Sequence, residues 1–185
     1  MSTMLASPPE LGSDVVDGLQ RASSRALHPS TVSLDPGVLS AIVSGLAAVT
    51  PPWELRTGDV PQERRYERLL STPIYEAWVI CWPAGTALDL HDHGGSAGAF
   101  TVVAGQLDET TIDDDGEPSV HRYESGDTAT FGPTLVHGVE NRGERLATSV
   151  HVYSPPLDVM NYYGPDASGR DALIRQSWCE SWLYE

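Results

Sequence analysis

The sequence predicts a mainly β fold, a barrel or jelly roll of short antiparallel strands behind amino-terminal α-helices. Three observations predict it. Apolar residues recur at helical spacing before about residue 60. From about Arg64 the period changes to short β-branched or aromatic runs. Glycine, proline and acidic turns separate those runs at close intervals, as in Asp113-Asp114-Asp115-Gly116 and Glu124-Ser125-Gly126-Asp127.

The elements follow in chain order. Residues 1–13 are rich in Ser, Pro and Met and are expected to fray. A first helix is expected over Asp14–Leu27, where Val15, Leu19, Ala22 and Ala26 share a side. A second is expected over Pro36–Val49, with Pro36 in its first turn and Val38, Ile42, Leu46 and Val49 along one face. Pro51-Pro52 ends it. Strands are expected at Glu76–Trp82, Ala99–Leu107, Thr110–Asp113, Ser119–Tyr123, Thr128–Phe131 and Thr148–Tyr153. The tail from Ser168 to Trp182 fits a strand or a short helix equally well. One domain is expected, with residues 1–60 forming a helical cover and residues 61–185 the barrel.

Composition narrows the partners. The chain has 26 acidic and 11 basic residues, a formal charge of −15, which argues against nucleic acid and anionic membrane. An anionic substrate would therefore need a local positive centre. The two cysteines, Cys81 and Cys179, make neither a disulfide framework nor a zinc knuckle, though a single bridge between them stays open. Cys81 sits in the apolar run Trp78–Trp82 and reads as a buried small side chain. No secretory pattern opens the chain and no apolar run reaches membrane-spanning length, so a cytoplasmic monomer is expected.

The chemistry concentrates at His91-Asp92-His93. Residues two apart on a strand face the same way, so both imidazoles can converge on one metal ion. The plain alternative is a pair of surface histidines on an edge strand. A third histidine, His137, follows a later glycine-punctuated segment, and the position five after His93, where a carboxylate ligand could stand, is Gly98. An all-imidazole site suits iron, copper, nickel or zinc.

The spacing Gly85-(x5)-His91-x-His93-(x4)-Gly98-(x6)-Gly105 resembles the first cupin motif, and Gly126-(x5)-Gly132-Pro133-(x3)-His137-(x3)-Asn141 resembles the second. Cupins usually place a glutamate where this chain has Gly98, which leaves His91, His93 and His137 as three neutral ligands. Further segments are similar to the cysteine dioxygenases, the iron-dependent thiol dioxygenase branch of the cupins. These are Arg65-Tyr66-Glu67-Arg68, Ile80-Cys81-Trp82, His137-Gly138-Val139-Glu140-Asn141 and Ser149-Val150-His151-Val152-Tyr153-Ser154-Pro155-Pro156.

The resemblance implies a cupin jelly roll holding one Fe(II) per chain at His91, His93 and His137, with L-cysteine and O2 as substrates and cysteine sulfinate as product. It assigns Ser149, His151 and Tyr153 to a hydrogen-bonded relay whose tyrosine hydroxyl contacts the bound thiol or oxygen. It assigns Arg68 to the substrate carboxylate, supported by Tyr66. It also implies a cis Ser154–Pro155 bond. Mammalian members carry a cysteine at the position of Gly98 and crosslink it to the tyrosine matching Tyr153; Gly98 has no sulfur to do so.

Plainer readings stand beside these. A polar stripe Ser149-His151-Tyr153 could be a satisfied structural strand, and Arg68 could be a surface residue of the basic run from Arg64. His28 reads as a cap or surface residue and His121 as structural. Trp53, Trp78, Trp82, Trp178 and Trp182 read as core or lid, while Met160, Tyr162 and Tyr163 are weaker pocket candidates. Rival functions are dioxygenation of another small thiol such as 3-mercaptopropionate or a thioimidazole, a non-catalytic metal-binding cupin, and a zinc-loaded isomerase.

Overall fold

The computed structural model describes residues 33–112, 117–165 and 171–178. Helix α1 spans Pro36–Val49, and Asp35 caps it by accepting the Gly37 amide at 2.8 Å, with proline at the start where no amide is needed. A short helix, α2, spans Trp53–Thr57. Eleven strands follow: β1 (Arg65–Ser71), β2 (Glu76–Trp82), β3 (Ala87–Asp92), β4 (Ala97–Ala104), β5 (Gln106–Ile112), β6 (Pro118–Glu124), β7 (Thr128–Phe131), β8 (His137–Glu140), β9 (Ala147–Ser154), β10 (Val159–Pro165) and β11 (Asp171–Trp178).

They form two antiparallel sheets, β1-β2-β9-β4-β7 and β11-β10-β3-β8-β5-β6. The core lies between the sheets: Trp78, Ile80 and Trp82 of β2, Phe100 and Val102 of β4, Leu107 of β5 and Phe131 of β7 pack together there. Helix α1 covers the other face of the first sheet, burying Leu39 and Val43 against Ala77, Val79, Ala99, Val150 and Val152. Strand β2 is thus covered on both faces, which explains why it reads as a continuous apolar run rather than an alternation. The same sandwiching sends Ser149, His151 and Tyr153 inward from β9 while Val150 and Val152 meet the helix.

Several elements match the sequence reading residue for residue, including α1, β2 and β7. One expected strand, Ala99–Leu107, is divided: Gly105 turns the chain at φ 78°, ending β4 and starting β5. A side chain there would also meet Leu146 O and Ala147 Cα at 2.8 Å, so the turn requires glycine on both counts. The separate run expected from Thr110 is the far half of β5. The tail adopts the strand alternative, β11 pairing with β10 over Asp171–Trp178. The helix expected over Asp14–Leu27 lies outside the described residues, as do His28, Cys179 and Trp182. Cys81 is buried and free, and burial pushes its thiol up to about 12. The Ser154–Pro155 bond is cis. No described helix is long and apolar enough to cross a membrane.

Candidate functional site

Strands β3 and β8 are neighbours, and their register sets His91 opposite His137. His93 follows one residue beyond the end of β3. The intervening Asp92 side chain is held by other groups: it accepts from Gly94 N at 2.7 Å, Asn161 Nδ2 at 2.8 Å and Tyr163 Oη at 2.5 Å. Strand β10 thereby anchors the segment while both imidazoles turn into the core.

The ligand-capable atoms of His91, His93 and His137 lie within 4.8 Å of one another, and all three residues are buried. Their hydrogen bonds leave nitrogens for a metal. His91 Nδ1 donates to Asp89 O at 2.7 Å, which frees Nε2. His137 Nδ1 donates to Glu109 Oε1 at 2.5 Å, and its buried Nε2 has no partner. His93 Nδ1 is likewise buried without one. Buried imidazole nitrogens left without a partner are costly unless something receives them. Burial, then the neighbouring imidazoles, hold His91 and His93 well below the usual histidine pKa, in the neutral ligating form. The donor set fits a divalent transition metal with open positions.

Gly98, on β4, lies between Phe131 of β7 and Tyr153 of β9. A Cβ at this position would come 2.3 Å from Phe131 Cζ and 2.8 Å from Val152 O. The Phe131 ring therefore fills the volume a carboxylate or thiol at this position would use. It stacks on His93 at 4.6 Å between ring centroids.

Beside the histidines runs a chain of four groups. Trp82 Nε1 donates to Ser149 Oγ at 2.8 Å, Ser149 Oγ lies 2.8 Å from His151 Nε2, and His151 Nδ1 lies 3.3 Å from Tyr153 Oη. The protonation of His151 sets their direction. Burial pushes the His151 pKa down to about 3, so the ring is neutral and carries one N–H. Ser149 accepts from tryptophan, and its own hydrogen has His151 Nε2 as acceptor. His151 then carries its hydrogen on Nδ1 and donates it to the Tyr153 oxygen, leaving the tyrosine hydrogen for a partner other than His151.

Tyr153 opens onto a cavity of about 430 Å³ lined also by Arg64, Tyr66, Trp78, Tyr162 and Arg175. The Tyr162 ring centroid lies 5.9 Å from that of His91, and the Tyr153 centroid 5.1 Å from that of His93, so the cavity floor adjoins the histidine cluster. Met160 shares that lining, whereas Tyr163 turns away to Asp92. Arg68 is outside the lining; its Nη1 faces Glu76 Oε2 at 3.9 Å. His121 packs on Tyr123 away from the cluster.

Sequence reasoning missed Glu109, Trp82 as a donor, and Arg64 with Arg175. Glu109 gave no signal of its own, standing beside Asp108 in the polar run Gln106–Thr111, although both carboxylates are buried.

Residues 52–166 match the model of a family described as cysteine dioxygenase type I. Among solved structures, TT1209 from Thermus thermophilus is similar at 18% identity and TM-score 0.45, covering 52% of this chain and 88% of that one. A protein with a double-stranded β-helix domain from Klebsiella pneumoniae is similar at 21% identity and TM-score 0.46, covering 63% and 89%. The cupin domain of Cnp3 from Schizosaccharomyces pombe is similar at 15% identity and TM-score 0.47, covering 54% and 66%.

Proposed function

Because the chain belongs to the cysteine dioxygenase type I family, we propose that it converts L-cysteine and O2 to cysteine sulfinate at an iron centre. The observation that carries this reading is the buried three-histidine cluster lying against Tyr153, a hydrogen-bonded tyrosine that lines the adjoining cavity. His91, His93 and His137 would hold Fe(II), and their neutrality leaves its full charge to attract a thiolate. Bound there, iron would supply activation of O2 next to the sulfur. The overall change balances without an external reductant: both oxygen atoms enter the thiol, RSH + O2 → RSO2H, and sulfur provides the electrons.

The chain's own residues supply the surroundings. Tyr153, its ring against His93 and its hydroxyl oriented by His151 and Ser149, can donate to sulfur or oxygen. Phe131, Trp78 and Tyr162 exclude water from the reacting atoms. In this reading Arg68, on β1 with Tyr66, takes the carboxylate, for which a planar guanidinium is suited. Small-molecule partners and a cytoplasmic setting complete the reading.

Another small thiol is the second reading, favoured by one observation. A cavity of about 430 Å³ is large for cysteine; it equals roughly fourteen waters at about 30 Å³ each. The test is oxygen uptake and sulfinate formation by the iron-loaded protein across a panel of thiols. Equal molar consumption of O2 and L-cysteine is expected. Turnover of 3-mercaptopropionate or a thioimidazole above cysteine would shift the substrate, and no uptake with any thiol would overturn the activity.

A further inference from the structure

We infer that Asn161 is a positioning residue for the metal centre, docking the β10–β11 hairpin onto Asp92 and so tying the orientation of His91 and His93 to the cavity wall. The inference rests on the metal-centre reading above, and not on thiol oxidation. Strands β3, β10 and β11 lie side by side, and their register forms two rows across the sheet. On the inner face His91 lies opposite Tyr162, and Tyr162 opposite Arg175. The Arg175 guanidinium lies 3.7 Å from the Tyr162 ring centroid. On the outer face Asp92 lies opposite Asn161, and Asn161 opposite Gln176. That row is hydrogen-bonded from end to end: Gln176 Nε2 donates to Asn161 Oδ1 at 2.7 Å, and Asn161 Nδ2 donates to Asp92 Oδ1 at 2.8 Å.

Both ends of the Asn161 amide are engaged, which fixes how it faces Asp92. Among the described residues, the pairs at His91 and Asp92 are the whole of the strand pairing between β10 and β3. The hairpin in turn gives Met160, Tyr162, Arg175 and Ser177 to the cavity lining. Beyond His93, Gly94 turns at φ 58°, and a side chain there would meet Val159 O at 2.7 Å, so the loop after the second histidine presses on the start of β10. Asp92 also accepts from Gly94 N and Tyr163 Oη, which ties that loop to the same hairpin. Histidine convergence and hairpin docking are therefore coupled. A metal that favours the converged imidazoles favours the docked hairpin, and by linkage the docked hairpin favours the metal.

The test uses the full chain and zinc alone, with affinity read by competition against a chromophoric chelator. Asn161→Leu, close in volume and unable to bond, is expected to weaken zinc binding by about tenfold. Tyr163→Phe removes one hydroxyl from Asp92 and should weaken it by about threefold, which decides the matter where Asn161→Leu fails to fold. Thr101→Val breaks the Thr101–Thr128 bond of the other sheet and should leave affinity within about twofold. Cobalt-loaded protein reports ligand angles through its visible bands, which should shift in Asn161→Leu and stay in Thr101→Val. Hydrogen exchange reads the reverse coupling: zinc should protect the β10–β11 amides in the wild type, and protect them less in Asn161→Leu. Unchanged zinc affinity in Asn161→Leu and Tyr163→Phe, with wild-type cobalt bands, would overturn the inference whatever the fall in Tm. Tight zinc binding that depends on Asn161, with no oxygen uptake by the iron-loaded wild type, would sink the dioxygenase reading and leave the role of Asn161 standing.

Discussion

Glu109 accepts the Nδ1–H of His137 at 2.5 Å, with both side chains buried and the Tyr123 hydroxyl donating to the other carboxylate oxygen at 3.0 Å. One carboxylate thus sets both the tautomer and the tilt of a metal-facing ring, through strands β5 and β8. Glu109→Gln keeps the shape but can present its amide nitrogen to His137, which reverses the preferred tautomer. Metal affinity is expected to fall by about tenfold to a hundredfold. Competition with a chromophoric chelator measures it; unchanged affinity would remove Glu109 from the site's support.

Ser149 fixes the relay's direction. In Ser149→Ala, His151 loses the donor to Nε2 and can carry its hydrogen there, so that Nδ1 draws the Tyr153 hydrogen back. The expected result is a kcat lower by about tenfold to a hundredfold with KM little changed, because the hydroxyl acts on reacting atoms rather than on binding. Tyr153→Phe should lower kcat at least as far. A pure KM effect in both variants would contradict the assigned direction.

The buried neutral His151 makes stability pH-dependent. Its folded pKa is about 3, below the ordinary value of 6.5 that applies to the unfolded chain. Between those values the unfolded chain binds the extra proton, so the contribution is full above about pH 6.5 and is lost as pH falls toward 3. This group alone gives a slope of up to about 1.4 kcal/mol per pH unit. Denaturant unfolding of metal-free protein between pH 7 and 5 checks it. His151→Gln, with nothing to titrate, should flatten the slope by about one proton.

Gly98→Cys meets Phe131 and the Val152 carbonyl at distances no side chain tolerates. The cost is expected at about 1–3 kcal/mol, or a fall in Tm of roughly 2–4 °C for each kcal/mol. Gly98→Cys with Phe131→Ala should recover part of the difference, read by thermal melts of the single and double variants. Additive losses would mean that the ring does not occupy the contested space.

The metal cluster was legible because its signal is local: alternation on a strand turns His91 and His93 one way and Asp92 another. Strand β2 was legible for a different reason, its unbroken apolar run following from cover on both faces. Strands β1, β3 and β10 gave weaker patterns. The first is an edge strand kept polar by Arg65, Glu67 and Arg68, and the second is largely exposed before His91. Long-range placement was the real limit. That Arg64 lines the cavity with Arg175 depends on β11 returning beside β10, and no residue near Arg64 announces it. Glu109 reads as one of several acidic residues until the β5–β8 register carries it to His137.

The ring of Phe131 over His93 also bears on how such a site can change over generations. A sulfur at position 98 would stand beside Tyr153, yet it finds no room there while the Phe131 ring keeps its place. Shrinking residue 131 first opens the space but strips His93 of its stacking partner. Tethering the tyrosine is therefore a two-position change in this chain, with residue 131 as much a part of it as residue 98.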